Sequence, residues 1–140
     1  MSWASRWISQ TELMQSPNVL AAFRCALSGL WYTLRTQRNM RIHLMAAVGV
    51  VLLGVWLQLP AEHWAILALT SGLVLVSEMI NTVVENTVDL VCPEYHPRAK
   101  TAKDVMAGAV ILSAIVAVIV GLLILALPLW GELARLCAGG

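Results

Sequence analysis

From residue 19 onward, apolar side chains recur in two distinct patterns. Val19, Leu20, Phe23, Ala26, Leu27, Leu30, Trp31 and Leu34 return at spacings of three and four, with Arg24, Ser28 and Arg35 on the other side. This period predicts an amphipathic helix over about 17–38, with Ser16 as N-cap and Pro17 at the first helical position. An apolar face opposed by arginines suits a membrane surface rather than a membrane interior. Residues 1–16 are mixed in character and predict a loosely ordered N-terminus.

Further along, the polar face disappears. Stretches at about 42–59, 62–90 and 104–130 each meet the roughly 20 residues needed to cross about 30 Å of hydrocarbon. The third is the clearest, because Val105 to Trp130 carries no charge and only Ser113 as a hydroxyl. Surrounded by lipid, each must be a helix, since a lone strand leaves its backbone groups unpaired. The expected fold is therefore an all-α membrane protein, with an N-terminal amphipathic surface helix and three transmembrane helices in a single membrane domain, residues 17–140. Pro60 and Ala61-Glu62-His63 predict a tight turn that makes the first two spans antiparallel neighbours. In the third, Ala109, Ser113, Ala117 and Gly121 fall every four residues and predict a packing face, within or between subunits.

Composition agrees with the pattern. At 59% hydrophobic and 12% charged residues, the chain has too little polar surface to cover a soluble globule. A net charge of +1 argues against a nucleic-acid partner, but the placement of charge is informative. Arg6, Arg24, Arg35, Arg38 and Arg41 precede the first span, and Arg98, Lys100 and Lys103 lie between the second and third. Only Arg135 follows the third. The positive-inside rule then predicts a multi-pass protein of the cytoplasmic (inner) membrane, with the N-terminus and the 92–103 loop cytoplasmic and the 60–63 turn and C-terminus outside. Cys25, Cys92 and Cys137 are odd in number and widely spaced, so free thiols are expected. The first sixteen residues lack a long apolar core, so no cleavable signal peptide is expected.

The second span breaks its own pattern. It opens as Trp64-Ala-Ile-Leu and then reads Ser77-Glu78-Met-Ile-Asn81-Thr82-Val-Val-Glu85-Asn-Thr-Val-Asp89. Glu78 lies about 21 Å along the helix from Trp64, still within hydrocarbon depth. An acidic side chain near mid-membrane costs about 2.5–3.5 kcal/mol on insertion scales, so repeated acids call for a function. At about 100° per residue, Glu78, Asn81, Glu85 and Asp89 fall within roughly 80° of one another, forming one face toward protein or a wet cleft. Three carboxylates and an amide suit a hard divalent cation such as Mg²⁺, which takes oxygen ligands and keeps substrate phosphates in its shell. Single polar residues such as Asn81 or Thr82 are also used merely to hydrogen-bond neighbouring helices, but structural glue rarely needs repeated charge.

A polar stretch follows: Cys92-Pro-Glu94-Tyr95-His96-Pro97-Arg98-Ala-Lys100-Thr-Ala-Lys103-Asp104. Lys100 and Lys103 at the start of a helix oppose its dipole unless an anion is near, and a nucleoside triphosphate supplies one. Arg98 and Lys100 equally suit an ordinary positive-inside loop. The chain has no GxxxxGK[ST], GxGxxG, HExxH, GxSxG or EF-hand pattern, so phosphate chemistry here needs a cradle unlike that of soluble kinases.

Glu78-Met-Ile-Asn81-Thr-Val-Val-Glu85-Asn-Thr-Val-Asp89, followed by Glu94-Tyr95-His96 and Ala99-Lys-Thr-Ala-Lys103-Asp104, resembles the prokaryotic diacylglycerol kinase and undecaprenol kinase family. The resemblance runs from about Phe23 to Trp130 and includes Arg38-Asn-Met-Arg-Ile-His43. It implies a homotrimer with active sites between subunits at the cytoplasmic membrane surface. It implies that Glu78 is the catalytic proton acceptor, that Glu85 holds Mg²⁺ with the ATP phosphates, and that Glu94, Tyr95, His96, Lys103 and Asp104 contact ATP. Asn81 and Asp89 would complete the polar stripe. Where the family usually has a second metal-binding glutamate before the first span, this chain has Gln37, a neutral amide that binds a cation more weakly. The Arg38–His43 stretch is more similar to the undecaprenol kinase branch, which implies undecaprenol as the lipid alcohol and leaves diacylglycerol as the alternative.

Two other classes compete with a kinase. A proton or ion transporter also uses intramembrane carboxylates, but a relay must continue across the bilayer, and no ionisable residue lies between Leu44 and Leu59 or between Val105 and Trp130. A membrane adaptor that binds a partner through its surface helix leaves the acidic stripe unexplained.

Overall fold

The computed structural model describes residues 19–138, and these form four helices and no strands. The expected Ser16–Pro17 cap and the 1–16 segment lie outside the described residues. Helix α1, Val19–Thr36, belongs to one structural unit, and Gln37 onward forms a second. Within α1 the hydroxyls of Ser28, Thr33 and Thr36 donate to the carbonyls of Cys25, Gly29 and Tyr32, so these polar groups are satisfied by their own helix. Phe23, Leu27 and Trp31 are exposed.

The second unit is built from α2 (Arg38–Trp56), α3 (Ala61–Val91) and α4 (Pro97–Ala138). All three are long and apolar enough to cross a membrane. Helix α3 is central and packs against both α2 and α4. Its 31 residues measure about 46 Å and the 42 of α4 about 63 Å, so both extend beyond the roughly 30 Å of hydrocarbon. Much of the aliphatic surface of α3 and α4 faces outward, Leu69 and Leu123 among it, as expected where lipid is the solvent.

The α2–α3 turn occupies Leu57–Pro60, a few residues before the position that Pro60-Ala61-Glu62-His63 suggests. Helix α2 ends in a Schellman closure. Leu59 N donates to Gly54 O at 3.1 Å and Gln58 N to Val55 O at 3.2 Å, with Gln58 in the left-handed region at φ 51°. Pro60 then serves as the N-cap of α3, its carbonyl accepting from His63 N and Trp64 N. The turn is tight because Gly54 has no side chain. A Cβ there would stand 2.9 Å from the Trp64 ring and 3.2 Å from Leu59 Cδ1.

At the other end, α4 begins at Pro97, where a missing N–H costs nothing, and Lys100 N donates to His96 O at 3.1 Å. Arg98, Lys100, Lys103 and Asp104 therefore ride on the opening turns of a helix, and only residues 92–96 connect α3 to α4. On α4, Ser113 is buried and its hydroxyl donates to Val110 O, whereas a Cβ at Gly121 would meet nothing within 4 Å. The small-residue face is thus engaged at Ser113 and open at Gly121.

Candidate active site

The buried positions of α3 are Leu67, Val74, Glu78, Asn81 and Thr82. The first four, spaced by seven, four and three, follow a single packing seam, and Thr82 lies beside it. The same seam that buries leucine and valine near the Pro60 end therefore buries a carboxylate and an amide further along. Glu78 is 1% exposed, as buried as the core residue Met40.

Its polar atoms are not tied up. Among the described residues, neither oxygen of the Glu78 carboxylate has a hydrogen-bond partner, and Asn81 Oδ1 also lacks one. Asn81 Nδ2 donates to Glu85 Oε1 at 2.9 Å, and Thr82 Oγ1 donates to Glu78 O at 2.9 Å, both within α3. Asn81 and Thr82 thus bond within their own helix rather than across to a neighbour. A buried carboxyl group without a partner is costly to a fold, and its retention points to a group the protein meets in use.

Glu78, Asn81 and Glu85 open into a cleft of about 470 Å³. Helix α4 supplies its far wall from Ala107 to Ile119, and every α4 side chain on that wall is aliphatic. Ile111 is 61% exposed, so the wall continues into the lipid-facing surface. Helix α2 contributes Asn39 and His43, to which the sequence pattern gave no role of their own. They stand four residues apart, the spacing of one helix face, and that is the signal that could have found them.

The remaining expected site residues lie elsewhere. Asp89 is paired with Lys103 at 2.5 Å, linking α3 to α4. Asp104 is paired with Lys100 one turn earlier. Glu94, Tyr95 and His96 are exposed in the connection, where His96 Nδ1 accepts from Arg98 N at 3.2 Å. Gln37 is half-buried at the N-cap of α2, makes no side-chain cap bond, and does not line the cleft. Among the described residues, no three His, Cys, Asp or Glu side chains converge as a metal cage.

The cleft of this three-helix membrane unit thus joins a buried carboxylate on one side to an aliphatic wall that runs out to the exposed surface on the other. The prokaryotic diacylglycerol kinase family matches residues 24–125. A diacylglycerol kinase of Synechocystis is 50% identical over 115 residues, 81% of this chain and 66% of that protein. An undecaprenol kinase of Bacillus subtilis is 44% identical over 96 residues, 69% of this chain and 78% of that protein. A diacylglycerol kinase of Escherichia coli is 35% identical over 75 residues, 54% of this chain and 62% of that protein. The chain belongs to the prokaryotic diacylglycerol kinase family, a family of membrane lipid kinases.

Proposed function

We propose that this protein transfers the γ-phosphoryl group of ATP to the hydroxyl of a membrane lipid alcohol, undecaprenol in the first instance. One observation carries the reading. The unpartnered Glu78 carboxylate closes a cleft whose other wall is aliphatic, so a hydroxyl meets an acceptor while its hydrocarbon chain stays in an apolar setting. The hydroxyl proton passes to Glu78, the oxygen bonds to the γ-phosphorus, and the bond from that phosphorus to the departing ADP oxygen breaks. Charge develops on the phosphoryl oxygens as this happens, and the ammonium of Lys103 neutralises part of it.

Glu85 fits a Mg²⁺ ion that arrives with the nucleotide, because such an ion needs only one or two carboxylates and keeps phosphate and water as its other ligands. When bound, Mg²⁺ neutralises phosphate charge. Gln37 offers only an amide oxygen, so a second cation in its vicinity is held weakly. Glu94, Tyr95, His96, Lys103 and Asp104 form the nucleotide side, and Asn81 and Asp89 support the stripe. Their dispersal in a single chain is in keeping with a homotrimer in which neighbouring copies complete each site. Of the six Lys and Arg residues from Gln37 onward, Arg38 and Arg41 lie at the start of α2 and Arg98, Lys100 and Lys103 at the start of α4. Under the positive-inside rule this supports a cytoplasmic position for that end of the unit and an outside position for the C-terminus.

Diacylglycerol is the second reading, favoured by the Synechocystis relative. Both lipids present a primary hydroxyl and an apolar tail, so the experiment is ATP consumption and lipid-phosphate formation by purified protein in mixed micelles with each lipid in turn. The expected result is rapid phosphorylation of undecaprenol. Faster turnover of diacylglycerol overturns the choice of lipid, and no turnover of either overturns the activity.

A further inference from the structure

Helix α2 presents two polar side chains to the cleft, Asn39 and His43. His43 is half-buried, its imidazole has no hydrogen-bond partner among the described residues, and it lines the same cleft as Glu78. The α3 side of the cleft is rich in acceptors: both oxygens of Glu78 and Asn81 Oδ1 are unpartnered. The Asn81 amide donates toward Glu85. The α4 wall is aliphatic. Hydrogen-bond donors from the helices that line the cleft therefore come chiefly from α2.

An alcohol needs both kinds of partner, because a hydroxyl carries one donor hydrogen and two acceptor lone pairs. Glu78 receives the hydrogen. Something across the cleft must donate to the oxygen, or that oxygen is buried with its lone pairs unmet. We propose that His43 is the donor half of the lipid-hydroxyl site. Its ring N–H hydrogen-bonds the oxygen of the alcohol whose proton Glu78 accepts, with Asn39 a second donor one helical turn away.

This assignment rests on the kinase reading and deepens it. With one lone pair held by His43 and the hydrogen aimed at Glu78, the remaining lone pair points toward the nucleotide. As the proton moves to Glu78 and the oxygen bonds to the γ-phosphorus, ADP leaves with the electron pair of the broken bond. His43 keeps its proton throughout, so it orients the nucleophile and is not itself a base. The arrangement selects a primary alcohol over a lipid amine, whose ammonium form has three donors and no lone pair to accept from the imidazole.

The test compares wild type with His43→Leu, which removes the donor, and His43→Gln, which keeps an N–H. Each is assayed in mixed micelles against undecaprenol and against diacylglycerol at saturating Mg·ATP, and each is checked for its melting temperature and its KM for ATP. The expected result is a rise of about tenfold in lipid KM for His43→Leu, the scale of one lost hydrogen bond, with the ATP KM unchanged and His43→Gln restored to within roughly threefold of wild type. An unchanged lipid KM in His43→Leu overturns the assignment. So does equal damage by both variants, or a rise in ATP KM in step with the lipid KM.

Should His43→Leu fail to fold, the wild-type protein decides the matter. A methyl ether of the lipid keeps the acceptor oxygen and must compete with the alcohol at least about fivefold better than the oxygen-free hydrocarbon of equal length. Equal competition overturns the assignment. The kinase reading fails by a different sign, namely wild-type protein that phosphorylates neither lipid.

Discussion

The two ends of the α2–α3 pair solve opposite problems. At the Pro60 end the chain closes on itself. The last carbonyls of α2 accept from Gln58 and Leu59, Pro60 caps α3, and the Trp64 ring fills the space left by Gly54. The single unpartnered buried side-chain atom described there is His63 Nδ1. About 14 residues further along α3 the same seam holds Glu78 with two acceptor oxygens unmet, beside a cleft rather than a packed neighbour. One end is arranged for stability. The other keeps a costly group in the core, at the position to which the proposed chemistry assigns the proton acceptor.

That contrast can be broken by substitution. Glu78→Leu should have the largest combined effect. It should abolish lipid phosphorylation while raising stability by about 1–3 kcal/mol, since an unpartnered buried carboxyl group gives way to a side chain suited to its seam. Thermal unfolding in detergent, run beside the activity assay, reads both changes, and a loss of stability would mean that Glu78 has a structural partner. At the other end, Gly54→Val should lower stability by about 1–3 kcal/mol by driving a branched side chain into the Trp64 ring, with activity per folded molecule retained.

Smaller effects sharpen the same comparison. Gln58→Gly should stabilise the turn by about 1 kcal/mol, because Gln58 holds a left-handed conformation that glycine adopts freely. A melting temperature unchanged by that substitution would show that the Schellman closure is not limiting. Asp89→Asn should shift stability by less than about 1 kcal/mol, since Asp89 is exposed to solvent and its partner Lys103 only half-buried. A larger loss would make that pair a structural clamp between α3 and α4.

The repeat of polar residues along α3 was legible in the sequence because it lies within one helix, where 3.6 residues per turn decide which side chains share a face. Glu78, Asn81 and Glu85 follow from that arithmetic. His43 and Asn39 do not, because their meeting with Glu78 depends on how α2 packs against α3, and the period of α2 alone cannot say which helix its polar pair will face. The Lys103–Asp89 pair was hidden for the same reason, its partners being on different helices and 14 residues apart. Gln58 at a position that usually takes glycine gave no local sign of the turn, which is why Pro60 and its successors suggested a slightly later one. The start of α4 at Pro97 follows a rule visible in the sequence, proline at a first helical position, but competing signals from the charged residues around it favoured a longer loop.

The most direct measurement of the central claim is phosphoryl transfer by purified Glu78→Gln beside wild type in undecaprenol micelles, with ATP binding measured on both. An amide of nearly the same shape cannot take the hydroxyl proton, so lipid phosphorylation should fall by about 10²–10⁴-fold while ATP binding survives. Glu78→Gln protein that phosphorylates the lipid at the wild-type rate would contradict the account.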